Sequence, residues 1–122
     1  MPMDINNYSP GLHKLLTLRV INLPKLTELT GFEAVTSTIL DKYNLEKVGF
    51  SAHVFDNGSY TAAVCLKESH ICIHTWPEFS QLTIDIYLCN YLRDNSSKVK
   101  DVAADYINYF EAEVLNDFEI NR

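Results

Sequence analysis

Hydrophobic and polar positions divide the chain into short segments of two different periods. Leu12 to Ile21 is rich in Leu, Val and Ile and reads as a strand. Pro24 and Gly31 frame a transition. Phe32, Val35, Ile39, Leu40 and Tyr43 then recur at helical spacing, which predicts a helix over about 31–44 with one face for a sheet. From Val48 to Phe55 the period is two: Val48, Phe50, Ala52 and Val54 point one way, and Ser51, His53 and Phe55 the other. Asn57-Gly58 is a hairpin signal, with Tyr60 to Lys67 as the returning strand. Glu68 to Trp76 follows almost at once and Pro77 interrupts it. Gln81 to Asn90 alternates most cleanly, with Leu82, Ile84, Ile86 and Leu88 against Thr83, Asp85, Tyr87 and Cys89. Asn95-Ser96-Ser97 offers helix caps, and Val99, Val102, Ala103, Tyr106, Phe110 and Val114 mark a second amphipathic helix. Residues 1–10 read as a loose lead-in, and 116–122 carry no pattern.

Strand, helix, hairpin-linked strands, helix is the order of an α+β fold: a two-layer sandwich, mostly antiparallel, with two helices on one face. The 122 residues suit a single domain spanning 1–122. The apolar strand faces should meet the helices. The opposite face would carry His53, Phe55, Thr61, His74, Trp76, Asp85 and Cys89, and aromatic and thiol groups there call for a second subunit or a ligand to cover them. Asp85, amid apolar neighbours, should be paired.

Charge narrows the partners. Sixteen acidic residues against ten scattered basic ones, a formal charge of −6, exclude a nucleic-acid surface, which needs clustered Lys and Arg. No apolar run approaches the ~20 residues of a membrane span, and the N-terminus lacks a signal-peptide pattern. Cys65, Cys72 and Cys89 are odd in number and not spaced as metal ligands, so reduced thiols in the cytoplasm are expected. Cys65 and Cys72 read as packing residues.

The chemistry concentrates in Glu68-Ser69-His70-Ile71-Cys72-Ile73-His74-Thr75-Trp76-Pro77-Glu78. Hydroxyl, imidazole and thiol groups so close together point to nucleophilic chemistry. No Gly-x-Ser-x-Gly elbow surrounds Ser69, and Cys89 lacks cysteine-protease flanks, which argues against a hydrolase. His70 and His74 could share a zinc ion on a helix, but on a strand they lie roughly 13 Å apart, so no metal site is expected.

Glu68-Ser69-His70 running into Ile73-His74-Thr75-Trp76-Pro77-Glu78, with Asp85-Ile86-Tyr87-Leu88-Cys89 after it, resembles the bacterial S-adenosylmethionine decarboxylase proenzymes. Gly11-Leu12-His13 and His53-Val54-Phe55 extend the likeness over nearly the whole chain. The resemblance implies that Ser69 attacks the carbonyl of Glu68 and that elimination with His74 as base severs the chain between them. A pyruvoyl group is left in place of Ser69. Thr61 stands where the resemblance leads one to expect a serine that assists processing. Cys89 is the implied proton donor, Phe55 and Trp76 the ligand-facing aromatics, and Glu78 the ribose acceptor. The implied activity is decarboxylation of S-adenosylmethionine to supply aminopropyl groups for spermidine and other polyamines, in a homodimer. Two alternatives stay open: a pyruvoyl-dependent arginine or ornithine decarboxylase, and an unprocessed homologue that binds ligand or regulates a partner. Departures from the family pattern are Asn90 after the cysteine, where glycine is usual, and Asp56-Asn57-Gly58 in place of a proline-glycine turn.

Overall fold

The computed structural model describes residues 9–90 and 93–122 of the uncleaved chain. The expected lead-in over 1–10 therefore lies outside the described residues, apart from its last two. Strands β1 (Leu12–Arg19), β2 (Lys47–Val54), β3 (Tyr60–Leu66), β4 (Ser69–Trp76), β5 (Gln81–Leu88) and β6 (Glu113–Asn121) form one sheet in the order β2-β3-β4-β5-β1-β6. Each pairing is antiparallel. Helices α1 (Pro24–Thr27), α2 (Leu29–Lys42) and α3 (Ser96–Phe110) lie on one side. The α+β two-layer sandwich is as expected, with one short helix and one strand more than the sequence pattern suggests.

The core lies between the helices and the inner sheet face. Leu16, Leu18, Val64, Ile71, Leu82, Ile84, Ile86 and Leu88 meet Phe32, Val99, Val102, Tyr106 and Phe110, all essentially inaccessible. Each such side chain contributes roughly 1.5–3 kcal/mol of transfer free energy, so this layer holds the fold together. Two polar contacts fix the helices within it. Thr36 and Tyr106 hydroxyls meet at 2.7 Å and join α2 to α3. Thr75 donates to the Leu26 carbonyl at 2.8 Å and accepts from Tyr60 N–H at 3.0 Å, which pins α1 to β3 and β4. That tether explains why four residues from Pro24 hold a helical turn that periodicity alone cannot reveal.

The expectation for β2 needs correcting. Alternation predicts Val48, Phe50 and Val54 under the helices, yet all three are exposed. Two helices about 10 Å apart span about 20 Å, whereas six strands at about 4.8 Å spacing are wider. The edge strands β2 and β6 are left bare. At β6 the polarity is inverted. Its inner-face Asp117 and Glu119 are bound by Lys14 of β1, both at 2.8 Å, while Phe118 and Ile120 point to the outer face beside Leu15 and His13. Burial alone would depress the Lys14 pKa, but hydrogen bonds and charge from the two carboxylates outweigh it and raise the pKa.

Candidate active site

The register places the outer-face residues in rows across the sheet. Trp76 aligns with Gln81 and Arg19; His74 with Thr61, Thr83, Thr17 and His53; Cys72 with Ala63, Asp85 and Leu15; His70 with Cys65, Tyr87 and His13. His53, Thr61, His70, His74 and Trp76 thus share the uncovered face, whereas Ser69, across from Leu66 and Leu88, falls in an inner-face row at the edge of the ladder. The predicted residues form two groups toward opposite ends of the strands.

The first group surrounds the Glu68–Ser69 peptide bond. Ser69 begins β4 at φ 151°, a backbone conformation nearly confined to glycine that costs an L-residue about 1–3 kcal/mol. The carbonyl of Glu68 accepts the Cys89 N–H at 2.9 Å, one rung beyond the Ser69–Leu88 pair that ends the β4–β5 ladder. The junction is therefore strained at the serine and polarised at the carbonyl. Beside it, His13, His70 and Tyr87 form a ring cluster with centroids 5.3–5.7 Å apart. Burial lowers the His13 pKa from its ordinary value. Asp85 opposes that shift, while His70 and Arg122 add to it. Asp85, expected to be paired, makes no hydrogen bond or ion pair among the described residues and sits half-exposed.

The second group holds aromatic rings and one carboxylate. His53 and Phe55 lie 4.7 Å apart, Phe55 and His74 5.9 Å, and His74 and Trp76 4.1 Å. Glu78, in a 3₁₀ turn over Pro77–Phe79, accepts from Asn57 Nδ2 at 2.7 Å. The Asn57 carbonyl oxygen in turn accepts the Ser59 N–H and hydroxyl. The turn that departs from the family's form is thus also the support of Glu78. Thr61, across the ladder from His74, donates its hydroxyl to the Ile73 carbonyl at 3.2 Å.

The structure does not bring His74 or Thr61 to Ser69 within one chain. Five residues of extended strand separate Ser69 from His74, roughly 17 Å at ~3.3 Å per residue. Cys65 and Cys72, read as packing residues, differ from each other: Cys65 is exposed on the outer face and Cys72 half-buried. Burial, reinforced by Asp85 and Cys65, raises the Cys72 pKa. No group of His, Cys, Asp and Glu capable of holding a metal occurs among the described residues.

Sequence reasoning missed Asn95. Its local pattern reads as a helix cap, but its side chain makes no capping bond. Its amide instead donates to Glu68 Oε2 at 2.7 Å and to the Cys89 carbonyl at 2.9 Å. Only its position six residues after Cys89, just ahead of the helical pattern, could have drawn attention to it.

Comparison with known proteins finds a matching family, similar sequences and a similar fold. The family model described as S-adenosylmethionine decarboxylase matches residues 12–122. An S-adenosylmethionine decarboxylase proenzyme of Archaeoglobus fulgidus is 30% identical over 112 residues, covering 92% of this chain and 96% of that protein. One from a Sulfurihydrogenibium species is 35% identical over 79 residues, covering 65% of this chain and 59% of that protein. The crystal structure of the adenosylmethionine decarboxylase from Aquifex aeolicus superimposes with a TM-score of 0.77 at 25% identity, covering 94% of this chain and 90% of that one.

Proposed function

The chain belongs to the S-adenosylmethionine decarboxylase family, and from that premise we propose that it is made as a precursor, cuts itself between Glu68 and Ser69, and then decarboxylates S-adenosylmethionine to supply aminopropyl groups for spermidine. The observation that carries the reading is the junction itself: a serine at φ 151° following a carbonyl already held by the Cys89 N–H.

The serine hydroxyl adds to the Glu68 carbonyl carbon. The C–N bond breaks and the hydroxyl proton passes to the departing nitrogen, which turns the amide into an ester and a free amine. The Cys89 N–H stabilises negative charge on the carbonyl oxygen as the carbon becomes tetrahedral. A base then removes the Ser69 Cα proton; Cα=Cβ forms, Cβ–Oγ breaks, and Glu68 leaves as a carboxylate. The enamine at position 69 tautomerises, water adds and ammonia departs, leaving the pyruvoyl group. That group supplies the electron acceptor for loss of CO₂. Cys89 Sγ–H then delivers the proton that the substrate's α-carbon requires. Phe55 and Trp76 stack on the adenine and face the sulfonium. Glu78, steadied by Asn57, accepts the ribose hydroxyls.

His74, Thr61, Phe55, Trp76 and Glu78 act on the Ser69 of a second copy in a homodimer. Two observations support this arrangement. The two groups lie toward opposite ends of the β4 strand, so a two-fold axis through the uncovered face brings unlike ends together. That face also carries Phe55, Phe118 and Ile120 exposed, 40–61% accessible, where a lone subunit would place polar residues. The enzyme works in the cytoplasm, a location supported by three cysteines without disulfides. Among the described residues no helix is long and apolar enough to cross a membrane.

Intact-mass spectrometry tests the reading. The chain should separate into fragments 1–68 and 69–122, Ser69→Ala should stay whole, and the cleaved protein should release CO₂ from S-adenosylmethionine but not from arginine or ornithine. A purified chain that keeps its full mass, or prefers either amino acid, refutes it.

A further inference from the structure

Asn95 is 2% accessible and immediately precedes α3. Asp94 Oδ1 takes over the capping of that helix, accepting the Ser96 N–H at 2.9 Å. Asn95 is thereby free to face the cleavage junction. Its Nδ2 bridges Glu68 Oε2 and the Cys89 carbonyl, and its own N–H is held at 2.8 Å by Asn90 Oδ1. Asn90 Nδ2 donates onward to the Pro10 carbonyl at 2.8 Å. Glu68 is consequently gripped at two points by one segment: at its main-chain oxygen by Cys89 and at its side chain by Asn95.

We propose that Asn95, oriented by Asn90, is a positioning residue for self-cleavage: it locks the 68 and 89 segments together so that the Cys89 N–H stays aimed at the carbonyl the Ser69 hydroxyl attacks. This rests on the self-cleavage reading above. A two-point grip removes rotation of the Glu68 residue about its own backbone, and misplacement by about 1 Å at a reacting centre can cost as much as 10²-fold in rate. Asn95 does not touch the reacting atoms, so its effect should appear in the rate and pH profile of cleavage.

The variant Asn95→Asp keeps the shape and replaces the donor with an acceptor, facing Glu68 Oε2 and the Cys89 carbonyl. Cleavage would be followed by intact mass during cell-free synthesis of the full chain, at pH 5 to 8. At pH 8 the variant should cut about tenfold or more slowly than wild type. Relative to wild type at the same pH it should recover near pH 5, where the introduced carboxyl group takes up a proton and restores the missing donor. Combining Glu68→Gln with Asn95→Asp returns one donor–acceptor pair with the roles exchanged, so the double variant should outpace Asn95→Asp alone at pH 8. A wild-type chain that cuts while Asn95→Asp matches its rate overturns the clamp and leaves the self-cleavage reading standing. Slow cutting that neither acid nor the exchanged pair relieves also overturns the clamp, since that marks a general folding defect. A wild-type chain that never cuts overturns both.

Discussion

The distance between Ser69 and His74 makes a quantitative demand on the assembled protein. Roughly 17 Å of strand separates them, so a chain carrying His74→Ala should be cut only when its neighbour lends an intact imidazole. Expressed alone, His74→Ala should remain whole, as should Ser69→Ala. Co-expressed in equal amounts and pairing at random, half of the His74→Ala chains meet a Ser69→Ala partner. In such a mixed dimer one site pairs both lesions and is dead. The other pairs the intact serine of one chain with the intact histidine of its partner. About half of the His74→Ala chains should therefore be cut, and about one quarter of wild-type sites should work. The two variants differ in mass, so spectrometry reads the cut fraction of each separately, and CO₂ release reads the live sites. If His74→Ala is cut normally on its own, the base is not His74. The His70 ring, next to the serine and clustered with His13 and Tyr87, becomes the candidate. If mixing leaves His74→Ala whole, the shared site is refuted.

Other consequences concern the scaffold. Tyr106→Phe strands the buried Thr36 hydroxyl and should cost about 1–2 kcal/mol in urea unfolding, whereas adding Thr36→Val should recover most of it, because removing both partners leaves nothing unpaired. A Cβ on Gly11 would lie 2.4 Å from the Leu88 carbonyl oxygen and 3.1 Å from Cys89 Cα, so Gly11→Ala should lose about 1–3 kcal/mol and slow cleavage by shifting Cys89. Because the folded state holds the His13 pKa below its ordinary 6.5, the unfolded chain takes up this proton first as pH falls. This group's share of stability is thus intact above pH ~6.5 and declines below it until folded His13 also protonates. Substituting His13→Gln should flatten the fall in melting temperature between pH 7 and 5, and an unchanged slope would refute the assignment.

Within the chain, local pattern was sufficient wherever one residue's neighbours in sequence decide its environment. Alternation along β5 identified its inner face, and Thr61, His74 and Trp76 were placed on the opposite side, because burial on one side of a pleated strand leaves a period of two. Helical spacing identified the faces of α2 and of α3 as far as Phe110, while Val114, read as the end of that helix, lies in β6. The unusual composition from Glu68 to Glu78 is what directs the proposed chemistry there. What escaped depends on partners far away in sequence. Residues 116–122 carry no readable pattern although β6 alternates, because its acidic residues face inward and only Lys14, over a hundred residues earlier, makes Asp117 and Glu119 tolerable there. α1 exists through Thr75 and Tyr60, and β2 stays bare because the helix layer is narrower than the sheet. Asn95 reads as a cap from its neighbours, and only the fold turns its amide toward Glu68. Sequence order likewise set Ser69 and His74 five residues apart, while the extended geometry of β4 decided that they cannot meet in one chain. A residue's type and period are local properties, whereas a site's completeness depends on distances that only the folded backbone sets.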